Sequence, residues 1–287
     1  DWMQVYMEAQ ESAGKKDGSQ IKIAMRILKD YAGEMVTLDQ IDGDFCRGYI
    51  TYLLTEYHPK GKDISNYTLH NYYRALNGAL NSAVRKKKMK ANPFNELEKS
   101  EKIRKPESMR SYMTIEEVQA LIDTPMPHEE YEIVKCAYLF SCFCGLRISD
   151  IIKLKWNDVF VDRGQYRLAV SMKKTKEPIY LPLSPEALKW MPERGGKSSE
   201  DNVFDLPSAN TIRMQLKPWA KAAGISKRFS YHTSRHTFAT MMLTLGADLY
   251  TVSKLLGHAD VKMTQVYAKI INKKKDEAVN LVNGLFH

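Results

Sequence analysis

The sequence is poor in the features that mark secreted, membrane-spanning and metal-binding proteins. Its 287 residues include only four cysteines, Cys46, Cys136, Cys142 and Cys144, and none has zinc-finger spacing. We therefore expect buried, reduced thiols in a cytosolic protein rather than disulfides or a metal site. No stretch approaches the roughly 20 apolar residues that span a bilayer, and the N-terminus lacks the charged-then-apolar pattern of a secretory signal. We expect no membrane partner.

Several enzyme motifs are also missing. Gly195-Gly-Lys-Ser198 is similar to the end of a phosphate-binding loop, but Met191 stands where that motif needs a glycine. No apolar strand precedes it, so we interpret it as a surface turn. His232 and His236 have the spacing of a helical zinc pair, yet Thr233 occupies the place of the glutamate in a zinc protease. No acidic cluster predicts a two-metal nuclease site, so we expect neither a metal nor a nucleotide cofactor.

What the sequence does have is enough length for two domains and a concentrated positive charge. The net charge is +9, and the segment 81–105 contains nine Lys or Arg and only three Asp or Glu. Such a concentration is typical of chains that contact nucleic-acid phosphates, although a solvated linker has the same composition. The predicted phosphate contacts in this segment are Arg85, Lys86, Lys87, Lys88 and Lys90.

Apolar residues at helical spacing predict long helices throughout residues 1–90. Thr37 and Gln40 are similar to a capping box before one helix, and Ser65 precedes another. The basic run that ends at Lys90 and the following Pro93 break this pattern. We therefore predict a helical domain at 1–92, a basic linker at 93–107 and a second domain at 108–287.

The second domain is predicted to be mainly helical with a small antiparallel β-sheet. Thr114 and Glu117 form a capping signature, and Gly145 ends a buried helix that starts near residue 131. Two strands, 166–171 and 178–183, flank a polar segment typical of a hairpin turn. Further helices are predicted at about 208–223, 233–245, 249–256, 263–270 and 275–285.

Five polar residues of this domain lie in apolar, helical surroundings: Arg147, His232, Arg235, His258 and Tyr267. Taken singly, each has an ordinary structural interpretation, because lone arginines form ion pairs and lone histidines and tyrosines pack in cores. The strings that contain them are Cys-Gly-Leu-Arg147-Ile-Ser-Asp, Tyr-His232-Thr-Ser-Arg235-His-Thr-Phe-Ala-Thr, Leu-Leu-Gly-His258-Ala-Asp and Thr-Gln-Val-Tyr267.

In this order the four strings closely resemble the signature of the tyrosine recombinase (phage integrase) family. That family carries Arg, a Lys in a β-hairpin, His-x-x-Arg, a second His or Trp, and a nucleophilic Tyr. The resemblance covers roughly residues 108–272, whereas residues 1–105 are similar only as a helical lobe with a basic end. It implies a helical core-binding domain followed by a mixed α/β catalytic domain.

The resemblance implies that Tyr267 attacks a DNA phosphate and forms a 3′-phosphotyrosine link. Arg147 and Arg235 would neutralise the phosphate, and His232 and His258 would donate hydrogen bonds or shuttle a proton. His232 is the expected acceptor of the Tyr267 proton. Because the link retains a reactive phosphodiester, rejoining is expected to need neither ATP nor a metal ion.

The family's general-acid lysine lies at the hairpin turn, eight residues before the proline that closes the next strand. Counting back from Pro182 selects Lys174. Asp150 and His236 fall where the family commonly has an acidic residue and a histidine, and we expect them to support the catalytic residues. Further phosphate contacts are expected from the hairpin residues Lys173 and Lys176.

The implied partners are double-stranded DNA and three further copies of the chain, since recombination joins two duplexes through four cuts. The apolar tail Val279–Phe286 is expected either to dock on a neighbouring subunit of this homotetramer or to pack on its own domain. Accessory DNA-bending or excision proteins are further expected partners. The expected location is the cytoplasm of a bacterium, in association with the nucleoid.

A mobile-element integrase is the favoured function, and a DNA invertase or dimer-resolution recombinase is the alternative within the family. A non-catalytic DNA-binding regulator, a single-duplex topoisomerase and a metal-dependent nuclease are the alternatives of other classes. The chain opens at Asp1 with no initiator Met, as a fragment does, and a removed upstream arm-binding domain would favour integration.

Overall fold

The computed structural model describes residues 2–14, 18–106, 110–171 and 178–268. The helices are α1 (Trp2–Ser12), α2 (Gly18–Ala32), α3 (Gly43–Thr55), α4 (Asn66–Arg85), α5 (Ile115–Asp123), α6 (Glu132–Cys144), α7 (Ile148–Ile151), α8 (Pro185–Leu188), α9 (Ala209–Ala222), α10 (Tyr231–Thr244), α11 (Leu249–Leu255) and α12 (Lys262–Ala268). The strands are β1 (Val159–Asp162), β2 (Gln165–Ser171) and β3 (Pro178–Pro182).

The fold is mainly helical with one small antiparallel sheet, as predicted. In the described part of the chain, no helix is both long and apolar enough to cross a membrane.

The chain divides into two compact units, Asp1–Ser108 and Met109–His287. In the first unit, α1 to α4 bury one apolar face each around a shared core. The caps explain where these helices begin: Ser65 accepts a hydrogen bond from Thr68 N–H ahead of α4. The Gln40 side chain accepts from Thr37 N–H at 2.8 Å, as in a capping box, but residues 38–40 form only a turn. α3 starts at Gly43 instead.

The segment that we predicted as a linker, 93–107, packs on the first unit over most of its described length. Phe94, Leu97 and Ile103 are buried in the core formed by α1 to α4. The amide of Asn92 donates to the side-chain oxygens of Asn77 and Asn81 on α4, at 2.7 and 2.9 Å. These contacts hold the chain against α4 directly after the basic run. We therefore propose that the first domain continues to about residue 106, beyond the boundary at 92 that the charge pattern favoured.

The basic run lies at the exposed end of α4. Arg85, Lys86, Lys87, Lys88 and Lys90 are all exposed to solvent. Arg85 is in the last turn of α4, and Lys86 caps that helix, with its ammonium 5.5 Å from the ring of Trp2. A cluster of exposed cations of this kind is available to an anionic partner.

The second unit is built around the buried helix α6. The capping box predicted ahead of α5 is present in full, since Thr114 N–H donates to the Glu117 carboxylate and Glu117 N–H donates to the Thr114 hydroxyl. α6 ends at Gly145, which has a φ of 75° and so adopts the left-handed conformation that favours glycine. α9 and α10 pack on α6, and aromatic rings fill the space between them. Tyr138 of α6 lies edge-on to Trp219 at 5.5 Å.

The sheet has three strands in the order β1-β2-β3, one more than the sequence predicted. β2 and β3 pair antiparallel, with Leu168 opposite Leu181. β1 pairs with β2 through a two-residue turn at Arg163 and Gly164, which both have positive φ. Such turns normally use Asn-Gly or Asp-Gly, so an arginine at the first position concealed the hairpin. Residues 172–177, including Lys173, Lys174 and Lys176, and residues 269–287, including the tail Val279–Phe286, lie outside the described part.

The four cysteines carry free thiols, as expected of a chain without disulfides. Cys46, Cys142 and Cys144 are buried, whereas Cys136 is only partly buried, contrary to the expectation that all would be enclosed. Burial raises the pKa of the Cys46 thiol to about 12, so this thiol stays protonated and behaves as a small apolar side chain.

Candidate active site

Gly145 brings together the helices that hold the predicted site. A Cβ at this position would lie 2.6 Å from Cδ1 of Phe238 on α10 and 3.1 Å from Cδ2 of Leu256, which follows α11. Only the absence of a side chain lets α10 and α11 approach the end of α6 so closely. Arg147, two residues further on, is the N-cap residue of α7 and is placed beside both helices.

Arg235 on α10 is buried, with 3% of its surface exposed. It connects the ends of α6 and α11 through hydrogen bonds. Its guanidinium donates to the carbonyl oxygen of Gly145 at 2.7 Å and to that of Leu256. Both carbonyls cap the C-terminal ends of helices, where the helix dipole favours a positive charge. Burial and the neighbouring Arg147 lower the pKa of Arg235 to about 10, so it remains charged at neutral pH. The guanidinium is therefore fixed in place and keeps donors for an anion.

Asp150 is the acidic group next to these two arginines. One oxygen accepts a hydrogen bond from the Ser149 hydroxyl at 3.1 Å, and the other is buried 4.0 Å from a terminal nitrogen of Arg147. Only 10% of this carboxylate is exposed. At this distance it attracts the Arg147 guanidinium without closing a direct hydrogen bond. We therefore propose that Asp150 helps to position Arg147.

His232 and His236 lie one turn apart on α10 with their rings edge to face, 4.4 Å between centroids. His232 is exposed and His236 is buried. Burial, followed by the charges of His232 and the nearby arginines, lowers the pKa of His236 to about 3. The pKa of His232 is also lowered, by burial first and then by Arg235. His236 is therefore a neutral imidazole at physiological pH.

His258 follows the end of α11 and faces the same arginines. Its Nδ1 is hydrogen-bonded to the hydroxyl of Thr264 at 2.7 Å, which leaves Nε2 for a ligand. Burial, followed by the charges of Arg235 and Arg147, lowers the pKa of His258 to about 4. This imidazole is also neutral, so it can donate a hydrogen bond to an anion but adds no charge.

Tyr267 on α12 lies against His236, with 1% of its surface exposed. Its hydroxyl is 2.6 Å from Nδ1 of His236 and accepts a hydrogen bond from Arg110 at 2.9 Å. The Arg110 guanidinium also lies over the tyrosine ring, 5.3 Å from its centre. The ring itself packs in a small apolar cluster that includes Phe238 and Leu256.

These contacts determine the direction in which the hydroxyl hydrogen of Tyr267 points. Arg110 can only donate, so the tyrosine oxygen accepts from it. The remaining hydroxyl hydrogen then points to Nδ1 of His236, which must be an unprotonated acceptor. A neutral His236, protonated on Nε2, satisfies this requirement. Tyr267 is therefore hydrogen-bonded to a group that has the geometry of a general base.

Two family matches cover most of the chain. Residues 111–274 match the Phage integrase family, and residues 1–105 match the Phage integrase SAM-like domain. The chain belongs to the phage integrase family of tyrosine recombinases. The motif residues described above all lie within the 111–274 match.

Curated tyrosine recombinases resemble this chain at moderate identity. The tyrosine recombinase of Pseudothermotoga lettingae is 29% identical over 242 residues, which are 76% of this chain and 82% of that protein. Tyrosine recombinase XerD of Vibrio vulnificus is 32% identical over 184 residues, which are 59% of each chain. The match therefore spans less than two thirds of the length of XerD and most of the length of the Pseudothermotoga protein.

Two solved structures have the same fold. The Tn1549 transposon integrase in complex with transposon right end DNA has a TM-score of 0.72 at 18% identity, covering 98% of this chain and 99% of that one. A lambda integrase dimer bound to a core site has a TM-score of 0.65 at 22% identity, covering 93% of both chains. At these identities the likeness establishes the recombinase fold.

The structure brings together most of the predicted site of this recombinase. The second unit gathers Arg147, Asp150, Arg235, His258 and Tyr267 with both histidines of α10. It differs from the expectation in one pairing, since His236 and not His232 contacts the Tyr267 hydroxyl among the described residues. Lys173, Lys174 and Lys176 lie outside those residues, so their roles stay predictions.

Sequence reasoning missed two residues of this site, Arg110 and Thr264. Arg110 stands just before the α5 capping box, in Met-Arg-Ser-Tyr, with no spacing pattern that relates it to Tyr267. Thr264 lies fully buried one turn before Tyr267. A buried threonine near a histidine motif is a weak signal, and a single arginine just before a helix cap gives none.

Proposed function

We propose that this tyrosine recombinase cleaves and rejoins double-stranded DNA through a 3′-phosphotyrosine on Tyr267. The observation that carries the proposal is the placement of the Tyr267 hydroxyl against neutral His236, in the unit that also gathers Arg147, Arg235 and His258. A phosphodiester is anionic, so its transfer depends on charge neutralisation and positioning above all. Arg147 and Arg235 supply the positive charge, and His258 supplies a neutral donor.

In the cleavage step, the oxygen of Tyr267 attacks phosphorus as its proton passes to Nδ1 of His236. A bond forms between the tyrosine oxygen and phosphorus, and the bond between phosphorus and the 5′ oxygen breaks. Lys174 protonates that 5′ oxygen as the general acid, by resemblance to the family. His232 is exposed beside His236 and donates a hydrogen bond to the phosphate. It is not the initial acceptor of the tyrosine proton. The reverse sequence rejoins the strand without ATP.

Tyr267 must become accessible before it reacts. Only 1% of the surface of Tyr267 is exposed, so a phosphate cannot reach its hydroxyl while the side chain is buried in this way. A shift of α12 or a rotation of the tyrosine ring upon DNA binding is therefore part of the mechanism. Because Tyr267 becomes accessible only upon DNA binding, cleavage is restricted to the protein–DNA complex.

We further propose that the exposed basic run at the end of α4 contacts DNA phosphates. Its residues are Arg85, Lys86, Lys87, Lys88 and Lys90. The support is the exposure of all five, together with the match of residues 1–105 to the SAM-like domain. Neutralising phosphates in this way makes binding strongly dependent on salt. Lys173 and Lys176 are proposed to add phosphate contacts at the hairpin.

We propose a homotetramer on two duplexes as the working assembly, with the tail Val279–Phe286 docking on a neighbour. Accessory DNA-bending proteins and a bacterial cytoplasmic, nucleoid-associated location belong to the same proposal. Integration of a mobile element is the favoured role, supported by the phage integrase description of both family matches. Inversion and dimer resolution use the same chemistry and differ in the arrangement of the two DNA sites.

The first test identifies a DNA site and then traps the covalent intermediate. Tyr267→Phe is used to select sites from a random duplex library, because it binds without cleaving. Wild-type protein is then mixed, in EDTA, with nicked duplexes of the selected sites and run on a denaturing gel. The expected result is a protein–DNA adduct with wild type and with the control Tyr250→Phe, an exposed tyrosine, but none with Tyr267→Phe.

Two outcomes would contradict the proposal. An adduct that persists in Tyr267→Phe would show that another residue is the nucleophile. No wild-type adduct on any selected site, with normal binding, would favour the non-catalytic regulator. The role is then assigned on plasmids with two selected sites in direct or inverted orientation, since deletion, inversion and intermolecular integration give products of different size.

A further inference from the structure

Arg110 stands in the five residues between the two family matches, which end at residue 105 and begin again at residue 111. No motif of the recombinase signature includes it. Even so, it contacts the reactive atom of the site, because one of its terminal nitrogens donates to the Tyr267 oxygen at 2.9 Å. Its guanidinium carbon lies 5.3 Å from the centre of the same ring. The contact therefore involves both the hydroxyl and the face of the nucleophile.

The positive charge of Arg110 also lowers the pKa values of two histidines of the site. The pKa of His258 is lowered first by burial and then by Arg235, Arg147 and Arg110 in that order. The pKa of His236 is lowered by burial, by His232 and next by Arg110. Arg110 and Arg235 thus act on both imidazoles, and Arg147 acts on His258 as well. The carboxylate of Asp150 lies 4.0 Å from Arg147.

We propose that Arg110 is a third catalytic arginine, which acts on the nucleophile while Arg147 and Arg235 act on the phosphate. This inference rests on the proposed function of Tyr267. When the hydroxyl proton moves to His236, negative charge develops on the tyrosine oxygen. A guanidinium that already donates to this oxygen stabilises that charge through a charge-assisted hydrogen bond. In the rejoining step the same donor stabilises the tyrosine oxygen as the leaving group.

The phenolic oxygen has room for this arrangement. It uses its hydrogen toward His236 and one lone pair toward Arg110, and a second lone pair remains for attack on phosphorus. Because Tyr267 must move to reach a phosphate, Arg110 follows the tyrosine oxygen in this proposal and keeps its hydrogen bond during the reaction. The competing interpretation is a latch, in which Arg110 only holds Tyr267 away from DNA and must leave before cleavage. The two interpretations predict opposite changes in rate when the guanidinium is removed.

The test measures single-turnover cleavage of a selected nicked duplex by Arg110→Met and Arg110→Lys. Arg110→Met keeps most of the aliphatic stem and removes the donor. The expected loss is about 100-fold, the effect of deleting one donor to a developing oxyanion. Arg110→Lys is expected to recover about a tenth of the wild-type rate, because it restores charge without the planar fork. The matched control is Arg228→Met, an exposed arginine of the same unit, with no loss expected.

Modified substrates locate the defect. A 5′-bridging phosphorothiolate has a leaving group that needs no proton, so it relieves the loss of a general acid. A methylphosphonate lacks one non-bridging charge, so it relieves the loss of a phosphate-neutralising arginine such as Arg147. Because Arg110 acts on the tyrosine oxygen, its defect is expected to persist undiminished on both substrates. DNA affinity is expected to be unchanged.

A readout without DNA separates this role from simple loss of folding. With tyrosine labelled by carbon-13 at Cζ, the Tyr267 resonance is assigned as the signal that disappears in Tyr267→Phe. It is expected to shift in Arg110→Met, while the other tyrosine signals stay in place. An unchanged signal would overturn the contact itself.

Cleavage by Arg110→Met at or above the wild-type rate would overturn the catalytic role and favour the latch. Rescue on the methylphosphonate would also overturn it, by placing Arg110 on the phosphate. Failure of the proposed function gives a different result. In that case the wild-type protein would form no adduct, or the Tyr267→Phe variant would form one.

Discussion

Replacing His236 by asparagine tests the assignment of the base. The side-chain oxygen of asparagine lies close to the position of Nδ1 in histidine, so His236→Asn keeps an acceptor for the Tyr267 hydroxyl and removes the basic nitrogen. In the wild type this acceptor is buried and 2.6 Å from the tyrosine oxygen. The substitution therefore changes the chemistry of the contact more than its geometry.

The expected loss in cleavage rate is about 10²-fold, the lower end of the usual contribution of a positioned general base, because an imidazole with a pKa of about 3 is a weak base. Stability is expected to change by less than about 1 kcal/mol, because the buried hydroxyl keeps a partner. His236→Ala provides the contrast. It leaves that hydroxyl without its acceptor, which destabilises the fold by about 1–3 kcal/mol as well as slowing cleavage.

The assay combines single-turnover cleavage of a nicked duplex with thermal unfolding of the DNA-free protein. Since the pKa of His236 is about 3, acidification to about pH 5 leaves the imidazole neutral and does not remove the base. His236→Asn that cleaves at the wild-type rate would refute the assignment. A wild-type rate that falls sharply as the pH drops below about 6.5 would point to His232 as the base instead.

Three further predictions concern the scaffold of the site. Gly145→Ala is expected to destabilise the protein by about 1–3 kcal/mol, measured by denaturant unfolding, because its φ is 75° and the added Cβ would lie 2.6 Å from Phe238; a neutral substitution would contradict this packing. Arg235→Lys is expected to fold, by circular dichroism, but to lose more than about 100-fold in cleavage, since a compact ammonium lacks the planar fork that spans both helix-end carbonyls and a phosphate. Near-normal cleavage would argue against this. The unfolding free energy is expected to fall as pH drops from about 6.5 to about 3, because the unfolded chain binds protons in this window while His236 and His258 do not. A flat profile after the carboxylates are accounted for would contradict the burial of these rings.

The sequence alone predicted most of the helices, the β2–β3 pair and most residues of the candidate site, because the signals that set these elements and motifs are local. Ser65, the pair Thr114 and Glu117, and Gly145 each act on the backbone within a turn of their own position. Charge density pointed to a linker at 93–107, whereas Phe94 and its apolar neighbours pack in the core of the first unit.

Only the tertiary structure decided which side chains meet at Tyr267. His232 and His236 stand four apart on one face of α10, so the motif cannot show which is buried against the tyrosine. Arg110 is 157 residues away from Tyr267 in the chain, and no periodicity joins them. Their contact depends on how the segment before α5 packs beside α10 and α12. That arrangement comes from burial of apolar surface over the whole unit, which no short stretch of sequence specifies.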